Sequence, residues 1–508
     1  MFNAANRART APGAAADSEL RQAAVIDVGS NSVRLVLYRL EGRAIWTVYN
    51  EKVLAGLGRD LSETGKLSPE GVVLALAALR RFKLVLDGAP GAEVLAVATA
   101  AVRDAKNGKA FLKRVEEETG LEVRVLSGEE EARYSALGVT AGQPSAHGVV
   151  GDLGGSSLEL IRLKSGAPGV GVTLPLGPLA LGAPEFDTEA VRAAAAARLA
   201  PLAERFESPC FYAVGGAWRN LAILHMRLAG YPLGIVHQYE MTADEALAIA
   251  RLMAAQSRSS LERIEGMSKK RSETLPFAAL ILEALVEQLG FSRIVISAYG
   301  LREGLVYNSL PKALRGRDPL VEGCAALGAR QGVAERLGSA LEAWLKPLWR
   351  ALDPVFDAER QPVLLAAACR LADMGARLHP DHRADLVFDQ VLRAPIAGQT
   401  HAERAFLATA AFARYTAHPL REAEALERVL APDRLQRARA LGAAMRLGCD
   451  LSGRSPPLLD QAALSVEKEA LVLTVRKDHA DLLLGDHTTK RMAALAGLLD
   501  LSPRVAAR

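Results

Sequence analysis

Twice in this chain an apolar run closes on a short polar turn and reopens into a second apolar run: AAVIDVGSNSVRLVLY from Ala23 and GVVGDLGGSSLELIRL from Gly148. The two copies align Asp27 with Asp152, Gly29 with Gly154 and Ser32 with Ser157. One strand, turn and strand of this kind is common. Two in register, each opening a region of alternating strand and helix signals, point to duplication of a whole unit. The chain is therefore expected to contain two related α/β halves, with the paired turns as the natural place for a ligand held between them.

The segments after each turn agree. SPEGVVLALAALRRFKLVL opens on Ser-Pro and then places apolar residues at three- and four-residue spacing, which predicts a helix leading into the buried strand AEVLAVATAA. NGKAFLKRVEEETG predicts another helix ending at Gly120, and LEVRVLSG another strand. In the second copy, FYAVGGAWRNLAIL and SRIVISAYGLREGLVY both read as a strand that breaks at glycine into a helix. Beyond Pro311 the texture becomes Ala-, Leu- and Arg-rich helical pattern, with almost no β-run until EALVLTV near residue 470 and an end piece that reads as a strand pair followed by a helix. At 508 residues several cores are expected: a loose tail at 1–20, α/β units at 21–143 and 144–310, and a mainly helical unit at 311–508.

Composition narrows the partners. The formal charge is +4 and aromatic residues make up 5%, so no nucleic-acid binder is announced. Cys210, Cys324, Cys369 and Cys449 stand far apart without a CxxC pair, which fits buried thiols in the cytoplasm and neither a zinc site nor a disulfide framework. The first twenty residues lack a secretory core, and no uninterrupted apolar stretch is long enough to span a membrane.

The chemistry lies in the turns. Asp-x-Gly-x-x-Ser between strands offers successive N–H groups and hydroxyls to an anion, and glycine lets phosphate approach the main chain. Ser30, Asn31 and Ser32 line the first cradle, and Gly154, Gly155, Ser156 and Ser157 the second. Gly215 and Gly216 precede a helix whose free N–H groups and dipole favour phosphate. Arg219 and Arg302 fall in the first turns of such helices, and Arg103 follows a buried strand; a guanidinium fork there can grip phosphate. Chemistry on a phosphate held there would also need a carboxylate for water and charge neutralisation on the transferred group. Asp152, Glu159 and the Glu129–Glu131 triplet are placed for it, although an acidic first turn is also an ordinary helix start.

In order and spacing, DVGSNSVRL, ATAAVRDA, SGEEEARY, DLGGSSLEL, AVGGAWRN and SAYGLREG resemble the exopolyphosphatase and guanosine pentaphosphate phosphohydrolase family. The resemblance implies two ribonuclease-H-like domains of the actin, sugar kinase and heat-shock chaperone ATPase superfamily around a cleft, with a mainly helical, HD-like C-terminal region. It puts the catalytic glutamate on Glu131, or on Glu130 if the register slips, and Mg²⁺ or another divalent cation such as Mn²⁺ on Asp152 and Glu159. Asp27 heads the matching loop and joins the metal set; Arg103, Gly215 and Gly216 match the family's phosphate contacts. It further implies a cytoplasmic homodimer acting on inorganic polyphosphate, or on guanosine penta- or tetraphosphate.

Two departures stand out. Ser156 replaces the third glycine of the family's second loop, and Ala372 stands where an HD pair would have its histidine, leaving Asp373 alone; His379 and His382 read as surface or helix-start residues. The basic run Arg251–Arg271 reads by itself as a solvated helix face and, with a polymer substrate, as a channel wall in which Arg271 lies nearest the cleft. Arg34, two residues after Ser32, favours the nucleotide, and the long helical region favours the polymer. A sugar kinase or ATP-binding switch would need an adenosine pocket where Trp218 and Arg219 stand, and a catalytically dead sensor would not need Glu131, Asp152 and Glu159.

Overall fold

The computed structural model describes residues 20–183, 185–264, 269–333, 335–420 and 423–508, without the side chains of 269–271, 335 and 423. The first sheet is built on β1 (Arg21–Val28), β2 (Val33–Glu41) and β3 (Ala44–Val53), an antiparallel meander. β4 (Glu93–Ala98) then pairs in parallel with β1, and the two-residue β5 (Arg124–Val125) with β4. The crossover to β4 is the Pro69–Asp87 helix, which starts with proline at its first position, where the missing N–H costs nothing. The Gly108–Thr119 helix ends as its sequence suggested, with Gly120 in the left-handed region at φ 68°.

The second sheet repeats the plan. β6 (Gly148–Leu153) and β7 (Leu158–Lys164) form the hairpin, and the short β8 (Ala167–Pro168) and β9 (Val172–Leu174) both pair with β7. β10 (Cys210–Val214) lies parallel to β6, β12 (Arg293–Ser297) lies parallel to β10, and β11 (Glu240–Thr242) closes the edge antiparallel to β12. In each sheet the first strand of the hairpin is thus the neighbour of a parallel strand, so the hairpin turns and the C-terminal ends of β4, β10 and β12 all emerge at one rim. Ligands of open α/β sheets bind at such rims.

The helices Gly128–Gly142 and Leu301–Ser309 cross closely, because a Cβ at Gly304 would stand 1.8 Å from the Tyr134 carbonyl and one at Gly138 would stand 2.1 Å from that of Gly300. Only glycine allows this approach, and it brings the acidic helix start up against the loop after β12.

Beyond residue 311 the helices Pro319–Arg330, Arg360–Leu371, Arg383–Arg393, His401–Ala413 and Pro432–Ser452 share a large apolar core that also takes in Ala44 and Trp46 of β3. The end piece is richer in strand than its sequence suggested. β13 (Ala462–Glu467) pairs antiparallel with β14 (Ala470–Val475), and after the Asp486–Leu498 helix the last strand, β15 (Ser502–Ala507), returns parallel to β14. The runs AALSVE and SPRVAA carry too few β-branched residues to announce themselves; pairing with the apolar β14 makes them strands. No helix among the described residues is long and apolar enough to cross a membrane, and all four cysteines are buried free thiols.

Candidate active site

Both hairpins close with the same bond: the Gly29 N–H donates to the Ser32 carbonyl at 3.0 Å, and the Gly154 N–H to that of Ser157 at 2.9 Å. The two turns meet. A Cβ added to Gly155 would lie 3.4 Å from the Cβ atoms of Ser30 and Asn31, and one added to Gly58 would lie 3.4 Å from Ser156 Oγ. Among the described residues, the N–H groups of Ser30, Asn31, Ser32, Gly155, Ser156 and Ser157 form no backbone hydrogen bond. Six donors gathered in two facing turns make an anion cradle.

Two loops that the sequence reading passed over brace it. Gly56 and Gly58 donate to the carbonyls of Asn31 (3.0 Å) and Ser30 (2.8 Å), while Gly177 and Leu179 donate to those of Ser156 (3.2 Å) and Gly155 (2.8 Å). These bonds fix the two turns while leaving their N–H groups without backbone partners. At Gly177 a Cβ would come within 2.5 Å of the Ser156 and Ser157 backbone, so this position is closed to any side chain. The available signal was glycine at Gly56, Gly58 and Gly177 beside strands or turns.

The acids come from three elements. Ser127 caps the Gly128–Gly142 helix, and Glu130 folds back in the reciprocal bond, accepting from the Ser127 N–H at 2.9 Å and pairing with Arg124 at 3.1 Å. Glu130 is thereby committed to the helix start, while Glu131 turns inward and is 8% exposed. One helical turn on, Ser135 donates to Asp152. Asp152 and Glu159 face each other in the β6–β7 register. Burial raises all three carboxyls. For Glu131, burial and then the neighbouring Asp152, opposed by Arg103, push the pKa up to about 7. Burial, Glu131 and Asp152 raise Glu159 well above the carboxylate range, and its Oε1 is buried without a partner. Asp152 is raised by burial and held down by the Ser135 bond and Arg302.

The cations surround this group. Arg103, in the short Ala100–Asp104 helix that follows β4, donates from Nη1 to Glu131 Oε2 and to the Leu126 carbonyl, both at 3.2 Å. Arg302 pairs with Asp27 at 3.0 Å with both side chains only 18% exposed, so it is an internal pair rather than a surface one. Burial opposes its charge, yet Glu303 and Asp27 outweigh burial and keep its pKa raised. Arg34 donates to Asn50 at 2.7 Å, and burial followed by repulsion from Arg302 and Arg219 lowers it to about 10. Arg219 bonds the Gly215 carbonyl at 3.3 Å in the first turn of the Gly216–Leu228 helix. Gly215 there has φ 117°, and the space a Cβ would fill at Gly216 is open.

Among the described residues no three or more His, Cys, Asp and Glu side chains gather into a metal cage. Asp152 and the unpartnered oxygen of Glu159 nonetheless suit a hard cation of the magnesium type, which is commonly bound by one or two carboxylates together with water and substrate phosphate. Asp27 is already engaged by Arg302.

Other sequence expectations fall elsewhere. Trp218 does not line the cradle: it is fully buried, bonds the Ala278 carbonyl at 2.9 Å and packs edge-on to Phe211. The side chain of Arg271 lies outside the described residues. Arg251 is engaged by Glu283 (2.8 Å) and Glu287 (2.6 Å), and Arg258 by Glu262 (3.1 Å), as on a solvated face. Asp373 pairs with Arg454 at 3.1 Å.

Residues 36–313 match the family model described as the Ppx/GppA phosphatase family, and residues 351–502 match one described as exopolyphosphatase, C-terminal. A solved Ppx/GppA family member from Aquifex aeolicus is 27% identical over 56% of this chain and 96% of its own, with a TM-score of 0.50. An exopolyphosphatase from Cytophaga hutchinsonii, 22% identical over 58% of this chain and 98% of its own, shares the fold with a TM-score of 0.53. With more than half of its length inside that first match, the chain belongs to the Ppx/GppA phosphatase family and is a hydrolase.

Proposed function

We propose that this chain is an exopolyphosphatase that removes the terminal phosphate of inorganic polyphosphate. The observation that carries the reading is Glu131, a buried carboxylate with a pKa of about 7, held 3.2 Å from Arg103 beside the two facing turns. A group poised near neutrality is suited to take a proton from water. In this reading the turn N–H groups and Ser30, Asn31, Ser32, Ser156 and Ser157 bind the terminal phosphate, with Arg103, Arg219 and Arg302 covering its charge. Glu131 orients a water in line with the scissile bond and takes its proton. The water oxygen bonds to phosphorus, the bond to the bridging oxygen breaks, and a chain one phosphate shorter leaves. Asp152 and Glu159 would hold the divalent cation, Mg²⁺ or Mn²⁺, which when bound neutralises charge on the transferred phosphoryl group. Ser135 keeps the Asp152 carboxylate oriented.

The match of residues 351–502 to the exopolyphosphatase C-terminal model supports the polymer. Hydrolysis of guanosine pentaphosphate is the second reading, favoured by Arg34, whose guanidinium is partly covered and repelled by Arg219 and Arg302 until an anion joins them. Orthophosphate release with and without magnesium, across a ladder of polyphosphate lengths and on guanosine pentaphosphate, tests both. Preference for long chains supports the first, and preference for the nucleotide the second. Release from neither, or no loss on Glu131→Ala while substrate still binds, overturns the assignment of the site.

A further inference from the structure

In the helical C-terminal region, at the position where a metal-binding pair would start with Ala372 and Asp373, the side chains gather the opposite charge. Arg414 at the end of the His401–Ala413 helix, Arg446 on the Pro432–Ser452 helix, Arg454 just beyond it, Arg491 on the Asp486–Leu498 helix and Arg383 at the start of its own helix converge on Asp373 and Asp450. Arg454 reaches Asp373 at 3.1 Å and Arg491 reaches Asp450 at 3.0 Å. Arg414 meets both carboxylates only at 3.9 Å, and Arg446 meets Asp450 at 3.9 Å.

Four guanidiniums thus pair with two carboxylates, a fifth, that of Arg383, lies near Asp373 over the Tyr415 ring, and the cluster grades inward from solvent. Arg454 is 45% exposed, Arg491 27%, Arg446 22% and Arg414 5%. Arg414 Nε is buried with no partner. Burial lowers Arg446, and repulsion from Arg491, Arg414 and Arg383 lowers it further. Arg454 is held in the left-handed region at φ 67°, costly for a residue with a side chain. A half-buried excess of positive charge destabilises the folded chain unless an anion compensates it.

We propose that this arginine cluster is an anion site, separate from the catalytic residues, that binds a compact phosphate group: inorganic phosphate or the phosphates of a nucleotide. Several guanidinium forks around one place suit a tetrahedral oxyanion, whose oxygens accept from more than one fork, better than they suit a single carboxylate. The assignment does not depend on the catalytic reading.

The test is thermal melting of the full chain, wild type against Arg446→Gln, with inorganic phosphate, a nucleoside triphosphate or chloride at matched ionic strength. Without phosphate, Arg446→Gln should melt at or above the wild-type temperature, because one like charge is gone, and its orthophosphate release should be unchanged. With phosphate or the nucleotide, the wild type should gain on the order of 2 °C more than the variant, the part of the gain that this site supplies. A larger differential with phosphate identifies the free anion, and a larger one with the nucleotide identifies the nucleotide. Equal gains in both proteins, showing that phosphate binds only at the catalytic turns, would overturn the proposal, as would chloride reproducing the differential. Arg454→Gln, more exposed, repeats the comparison if Arg446→Gln does not fold; a melting temperature lowered equally with and without phosphate in both variants means a purely structural cluster and also overturns it.

Discussion

Replacing Glu131 by Gln should separate stability from activity. The carboxyl's pKa rises from 4.5 to about 7 in the fold, with burial as the main cause and Asp152 next. At about 1.4 kcal/mol per tenfold change in a proton equilibrium, that rise corresponds to roughly 3 kcal/mol. The sign follows from the direction: an acid with a raised folded pKa loses no stability below pH 4.5, then loses it progressively as pH climbs to about 7, and above that the full penalty persists. Glutamine keeps the shape and never ionises. In the absence of divalent cations, Glu131→Gln should therefore match the wild type near pH 4 and exceed it at pH 8. The excess should be about 2 kcal/mol, allowing for the lost attraction to Arg103 and for titration shared with Asp152 and Glu159. Orthophosphate release should fall by ~10²–10⁴-fold, the usual contribution of a general base. Urea unfolding with a chelator present, at both pH values, gives the stability difference directly. A variant equally or less stable than wild type at pH 8 would refute the claim that Glu131 is held ionised at a cost.

Three further outcomes follow from the geometry. Gly177→Ala should destabilise by ~1–3 kcal/mol and cut activity, because its Cβ would press within 2.5 Å of the Ser156 and Ser157 backbone; thermal melts and kcat check it. Ser135→Ala should raise the Mg²⁺ concentration for half-maximal activity by ~10-fold while leaving the fold intact, since it removes the donor that orients Asp152; an Mg²⁺ titration of the rate decides. Arg302→Met should cost ~3 kcal/mol by leaving the partly buried Asp27 unpaired, and Asp27→Asn added to it should recover part of that loss; a double-mutant cycle in urea measures the recovery.

The turns, the helices that follow them and the acid positions were legible in the sequence because each rests on local chemistry. Asp-x-Gly-x-x-Ser reports a tight turn and Gly120 a helix end; the sequence leaves the inward-turning glutamate of the triplet between Glu131 and Glu130, and the structure decides it by committing Glu130 to the reciprocal cap with Ser127. What stayed hidden depends on contacts distant in the chain. Nothing near Arg302 announces Asp27, 275 residues away, and nothing near Gly177 announces the Ser156 carbonyl it supports. Trp218 read as a bulky wall of the phosphate loop because helical phase alone did not reveal that its indole N–H finds the Ala278 carbonyl in the core. The arginine cluster was invisible for the same reason: its members come from separate helices and meet only in the fold.

The duplicated hairpin also carries its own division of labour. In the first copy the residue opposite the aspartate is Arg34, and in the second it is Glu159, at the same register position on the returning strand. Each inherits one backbone geometry, a side chain projecting beside the turn and across from Asp27 or Asp152. With arginine there, the first half adds positive charge beside Arg302 and Arg219, which suits the anionic substrate. With glutamate there, the second half sets a carboxylate beside Asp152 and Glu131, which repel one another until a cation or proton arrives. On the proposed reading, the two copies become unlike partners at this register position: Arg34 would draw the anionic substrate in, while Glu159 would join the carboxylates that act on it. Exchanging the two residues, Arg34→Glu with Glu159→Arg, would preserve net charge yet place each sign in the wrong half. Loss of orthophosphate release in a double variant that still folds is therefore the expected result; retained activity would mean that only the summed charge of the cleft matters.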